Sequence, residues 1–193
     1  MQKPPYVPTG VFLPNRPVEF LQRPKFTTNH QTTIMHMSKP HLYSVEREFN
    51  VPVERLWRAW TDASELESWY HVTEHQSVKG ATTSDLQIGG LWSCGVHVPG
   101  RDFDSLFFGK YTNIETNRSF EHTLHYTESM DEFKAMDFNT ASHLIKVEFE
   151  ARGANSWCKF TQFGEAPAEQ VLLMTAGIGS YFDSLEKHLA TSN

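Results

Sequence analysis

Cysteine is scarce, with two in 193 residues. Cys94 and Cys158 stand far apart, which excludes a disulfide framework and points to a reducing compartment such as the cytoplasm. Positive charge is also in short supply. Seventeen Lys and Arg against 23 Asp and Glu leave a formal charge of −6. That balance, with no basic run, argues against a nucleic-acid partner. No apolar run is long enough to span a bilayer, and the N-terminus has no hydrophobic signal core. G-x-S-x-G, H-E-x-x-H, Walker and dinucleotide glycine patterns are all missing, and no cofactor is implied. Proline is rare after residue 40, at positions 52, 99 and 167 only, whereas seven of the ten fall in residues 1–40. That leader carries Glu19 as its single acid. Extended or disordered chain is expected there, as an unstructured extension or a partner-binding tail. A domain follows over residues 41–193.

Aromatic residues are abundant, at 13% of the chain with 14 Phe and 5 Trp. Three of the tryptophans lie within residues 53–70. Val53, Leu56, Trp57 and Trp60 recur at helical spacing on one stripe, with Pro52 suited to the first turn. Asp62 reads as the N-cap of a second short helix, and Glu65 as its capping-box partner. Leu66 and Trp69 form that helix's apolar side.

Strands surround this helix pair. Tyr43, Val45, Arg47 and Phe49 alternate with polar residues before it. Leu91 to Val98, Ser105 to Ile114, Phe120 to Tyr126, His143 to Glu150 and Ser156 to Phe163 follow it, separated by turn residues. Residues 128–141 read as a polar connection carrying Met130, Phe133, Met136 and Phe138. Pro167 opens a long helix with Val171, Met174, Ile178, Phe182, Leu185 and Leu189 on one stripe. Gly177 and Gly179 within it each cost about 1 kcal/mol relative to Ala, so either a close approach or local flexing is expected. Segregated strands and helices predict an α+β fold, in which a curved antiparallel sheet wraps the long C-terminal helix.

Several segments resemble one family. Arg47, followed by Val51-Pro52-Val53-Glu54-Arg55-Leu56-Trp57-Arg58-Ala59-Trp60-Thr61-Asp62, is similar to the opening of the activator of Hsp90 ATPase homologue (AHSA1-like) domains. These belong to the START-like (SRPBCC) superfamily. Trp69, Ile88-Gly89-Gly90-Leu91-Trp92 and Gly109-Lys110-Tyr111 with Ile114 fit the same pattern. So do Thr161-Gln162-Phe163-Gly164 and Phe182-Asp183-Ser184-Leu185-Glu186-Lys187-His188-Leu189. The resemblance covers about residues 42 to 190, with His71-Val72 where relatives carry Gly-Pro. It implies the helix-grip fold and membership among hydrophobic-ligand binders, co-chaperone domains, regulators and a few cyclase- or hydrolase-like enzymes. The co-chaperone relatives carry a further N-terminal domain.

The candidate ligand-binding residues are Trp60, Trp69, Trp92, Phe108, Tyr111, Phe120, His122, Leu124, His143, Phe160, Met174, Ile178 and Phe182. Each serves equally well as plain core, since burying such a side chain is worth about 1.5–3 kcal/mol by itself. His122 and His143 read inward with Tyr111 and Tyr126. They could orient a ligand or act as acid and base, or be capped by backbone carbonyls. His71 and His75 stand at i, i+4, a two-imidazole metal spacing if helical, against a solvated loop pair. Cys94 and Cys158 read as small buried apolar groups. The first functional expectation is a non-catalytic binder of a small hydrophobic ligand, with a pocket of roughly several hundred Å³. A protein-partner or homodimeric role is second, and catalysis through His122, His143 or a tyrosine third.

Overall fold

A computed structural model of the protein describes residues 39–191. The proline-rich stretch of residues 1–38 lies outside the described residues, and with it the expectation of disorder. The chain runs β1 (His41–Phe49), α1 (Val53–Thr61), α2 (Ala63–Trp69), β2 (Gln76–Ser77), β3 (Thr83–Ser84) and β4 (Leu91–His97). It continues through β5 (Asp104–Glu115), β6 (Ser119–Thr127), α3 (Met130–Ala135), β7 (His143–Arg152), β8 (Asn155–Phe163) and α4 (Ala168–Thr191). One antiparallel sheet in the order β1-β8-β7-β6-β5-β4-β2, with β3 also on β4, curls around α4. This is the helix-grip arrangement.

Alternation along the strands decides what the concave face carries. Trp92, Cys94 and Val96 of β4, Phe120, His122 and Leu124 of β6, and Ile145, Val147 and Phe149 of β7 all enter the main core. Cys158 and Phe160 of β8 join them. Both cysteines are buried free thiols, and burial pushes each well above the ordinary thiol range.

The helix pair closes one end of the core. Leu56, Trp57, Trp60, Leu66 and Trp69 are buried. The side chain of Asp62 caps α2 by accepting from the N–H groups of Ser64 and Glu65. The reciprocal half of the expected capping box is not made. Glu65 instead accepts from Arg55 Nη1 at 2.6 Å, Arg58 Nε at 2.7 Å and His188 Nε2 at 3.0 Å, tying both short helices to α4. Burial pushes the Glu65 carboxyl up, but the bonds from His188, Arg55 and Arg58 outweigh it and hold it low. Trp69 Nε1 donates to the Ala59 carbonyl at 2.8 Å and fixes α2 against α1.

The indole of Trp60 lies 4.7–6.4 Å from the rings of Trp69, Tyr70, Phe120, Phe149, Phe160 and Phe182. Its Nε1 is buried without a hydrogen-bond partner, so its contribution is packing alone. On the same C-terminal half of α4, Arg47 of β1 pairs with Asp183 at 2.8 Å and Glu186 at 3.2 Å.

Two expectations need correction. Residues 128–141 are not merely a connection, because Met130–Ala135 forms α3 with Ser129 as N-cap. Phe108 does not face the cavity. Strand alternation turns it to the convex side, where it packs with Ala81, Leu106 and Phe133 under α3. Lys110 Nζ covers the neighbouring Phe138 ring at 4.3 Å.

Replacing Trp60 with Ala should destabilise the domain by about 3–5 kcal/mol, the usual loss for an aromatic at a collapsed core site. Trp60→Phe, which also deletes the orphaned N–H, should lose only about 1–2 kcal/mol. Urea unfolding of the two variants checks the order; equal losses would mean that Trp60 is not the packing centre.

Candidate functional site

Between the sheet and the first half of α4 lies an apolar cavity. Its wall includes Tyr43, Val96, Val98, Phe107, Leu124 and Phe160 on the sheet side, with Tyr70 and His75 beside them. The helix contributes Leu173, Met174, Gly177, Ile178 and Tyr181. Its volume is about 40 Å³. A cavity of about 150 Å³ is what admits benzene, so this one is room for water-sized occupants as it stands. The several hundred Å³ expected for a ligand pocket is not open here.

Of the candidate residues, Leu124, Phe160, Met174 and Ile178 line this cavity. Trp60, Trp69, Trp92, Tyr111, Phe120, His122 and Phe182 sit in solid core beside it. Phe108 is on the far face. His143 stands one hydrogen bond behind the lining. Gln162, Tyr43 and Tyr181 are lining residues that the sequence left unmarked, although the inward alternation from Cys158 and Phe160 extends to Gln162.

The polar side of the cavity is a directed chain of hydrogen bonds. The Tyr43 hydroxyl donates to Gln162 Oε1 at 2.6 Å, and Gln162 Nε2 donates to His143 Nδ1 at 2.5 Å. That leaves the imidazole proton on Nε2, which donates to the Glu165 carbonyl at 3.3 Å. Gly164 makes this packing feasible. A Cβ there would lie 2.4 Å from the His143 ring, and its φ of +149° is one that side chains rarely adopt. The chain thus binds the turn that leads into α4 to the sheet.

Burial dominates the titration of these groups. It pushes the phenols of Tyr43, Tyr70 and Tyr181 up and the imidazoles of His75 and His143 down, with Lys39 adding to the depression of His143. His122 stacks on Trp92 at 4.2 Å and donates from Nδ1 to the Thr123 carbonyl at 2.8 Å. Its pKa is driven down to about 4 by burial. The hydrogen bonds of His122 and His143 end on backbone carbonyls and an amide, not on a carboxylate. His71 and His75 do not share a helix: His75 lines the cavity, while His71 lines a polar cleft between α2 and the end of α4.

Gly177 and Gly179 are not explained by close approach, since a Cβ at either would meet nothing within 4 Å. What remains is a locally weakened helix above the cavity. The C-terminal half of α4 is different: Phe182, Leu185 and Leu189 are buried there, Arg47 clamps it by an ion pair with Asp183, and Glu65 clamps it by a hydrogen bond with His188.

The sequence pattern described as activator of Hsp90 ATPase homolog 1-like protein matches residues 50–190. Solved structures share the fold at low identity. The AHSA1 protein from Silicibacter pomeroyi superposes with a TM-score of 0.64 at 19% identity, over 78% of this chain and 99% of that one. A protein from Mycobacterium smegmatis gives 0.63 at 18%, over 78% and 91%. A solution structure from Staphylococcus epidermidis gives 0.62 at 20%, over 83% and 96%. Among the curated proteins no match is found.

His122 gives the domain a defined acid sensitivity. Its folded pKa lies below the unfolded value near 6.5, so its full contribution is present above pH 6.5. That contribution falls away as pH drops through 4, by on the order of 3 kcal/mol. His122→Phe, which keeps a ring on Trp92, should flatten the stability profile between pH 7 and 4 by that amount in urea titrations. An unchanged slope would place the acid-sensitive group elsewhere.

Proposed function

Because the chain belongs to the activator of Hsp90 ATPase homolog 1-like family, with its START-like fold, we propose that residues 41–193 form a receptor for a small apolar or aromatic molecule. The molecule is held between the concave sheet and the first half of α4. The observation that carries this reading is the apolar cavity beneath the one stretch of α4 weakened by two glycines. Met174 and Leu173 fill the space in the closed form, and unbranched, soft Met side chains repack at small cost. Displacing them enlarges the cavity toward ligand size while the clamped C-terminal half of the helix stays in place.

Catalysis has less support. His122 is neutral and stacked in solid core, and His143 spends both ring nitrogens on Gln162 and Glu165. A protein-partner role has less support too. Among the described residues the exposed large apolar side chains are Leu86, Ile88, Met130 and Leu172, spread over a loop, α3 and α4 rather than gathered in one patch. Among the described residues no helix is long and apolar enough to cross a membrane. The two buried free thiols fit a reducing compartment, which we take to be the cytoplasm.

Titrating the isotope-labelled protein with indole should shift amide resonances of the cavity wall and of residues 171–181. Met174→Ala enlarges the space and should tighten indole about tenfold, at a stability cost of about 2–5 kcal/mol. Shifts confined to other surfaces, or an affinity indifferent to Met174→Ala, would overturn the reading. Gly177→Ala should raise stability by about 1 kcal/mol and slow indole association, as seen in stopped-flow tryptophan fluorescence. An unchanged association rate would show that the helix does not have to flex for the ligand to reach the cavity.

A further inference from the structure

The polar groups on the cavity wall are Tyr43, Tyr70, His75, Ser105, Gln162 and Tyr181, and among the described residues no Lys, Arg, Asp or Glu joins them. From this lining we propose a ligand class, in an inference that rests on the receptor reading above. The cavity selects an uncharged molecule, an apolar or aromatic body bearing one hydroxyl or carbonyl oxygen, and rejects the carboxylate or ammonium form of the same skeleton.

Gln162 is the anchor. It is 1% exposed, its carbonyl accepts from Tyr43, and one of its amide hydrogens is committed to His143. A primary amide has two N–H groups and two carbonyl lone pairs. One of each therefore remains for an occupant of the cavity. A hydroxyl can use both and a ketone or ester oxygen can use the N–H.

A charged group meets the opposite situation. Leaving water for this space without a countercharge carries a penalty of several kcal/mol, and nothing on the wall supplies one. The wall does not acquire charge near neutral pH either, because burial favours the neutral phenols and the neutral imidazole of His75. The Tyr43–Gln162–His143–Glu165 bonds all run in one direction, so the Gln162 amide cannot flip to offer its carbonyl to His143 Nδ1 without setting two acceptors against each other. The donor presented to the ligand is fixed by a network that ends outside the cavity.

The test compares four one-ring probes on the intact chain at pH 7.5 by amide chemical-shift titration: toluene, benzyl alcohol, benzoate and benzylammonium. Benzyl alcohol should bind at least a hundredfold more tightly than benzoate or benzylammonium. In Gln162→Leu, benzyl alcohol should weaken about tenfold while toluene is unchanged or improved. Benzoate or benzylammonium binding within tenfold of benzyl alcohol would overturn the inference. A Gln162→Leu effect equal for toluene and benzyl alcohol would do the same. Should that variant fail to fold, the comparison of the four probes on the unaltered protein still decides. Toluene binding in the cavity without discrimination among the other probes removes this inference and leaves the receptor reading intact. Failure of all four probes to bind removes both.

Discussion

Trp60 is the point at which every layer of this domain meets. Its side chain leaves α1 and touches rings from α2, from the β6, β7 and β8 strands, and from α4. Six aromatic neighbours around one indole leave the helix pair, the sheet and the terminal helix little freedom to move independently, because close-packed interiors repack in discrete steps. The cavity exists where that cluster stops. Phe182 belongs to the cluster and fixes α4 from its midpoint onward, while Ile178, Gly177 and Met174, just before it, look onto the space that Tyr70 and Phe160 of the cluster wall from the other side.

The long helix is therefore two mechanical parts. One part is held by packing and by Arg47 and Glu65. The other lies over a hollow, carries two glycines whose added Cβ atoms would meet nothing within 4 Å, and follows the turn where the Glu165 carbonyl accepts from His143. A single rigid cover would seal the sheet permanently. In the proposed receptor this division keeps the fold while one edge of the cover yields, and local stability differences of this kind are where binding segments are usually drawn from.

Much of this was legible in the order of residues. The i, i+3, i+4, i+7 stripe through Trp57 and Trp60 announces α1, and strict alternation announces Phe120, His122 and Leu124 as a buried row. Asp62 as a cap is equally plain. Other features depend on register. Phe107 and Phe108 are adjacent and cannot both face inward, and Tyr111 two pleats from Phe107 decides for Phe107, a parity that the sequence does contain. Helix α3 is a turn and a half, too short for periodicity to declare, and Ser129 with Glu132 was its only local sign. The Tyr43–Gln162 contact joins residues 119 positions apart, and nothing short of the β1–β8 register puts them together. The size of the cavity depends on how lining side chains such as Leu173 and Met174 pack, which no pattern of residue types encodes.

The same register has a consequence for how the chain acquires its shape. The first strand hydrogen-bonds to the last, Tyr43 opposite Gln162 and Phe49 opposite Ser156. During synthesis at about 5–20 residues per second, β1 must wait on the order of ten seconds for its neighbour to leave the ribosome. Until then its inward row of Tyr43, Val45 and Phe49 has no sheet to join. Non-local closure of this kind is slow, and a strand edge left unpaired until it is complete is open to pairing with other chains.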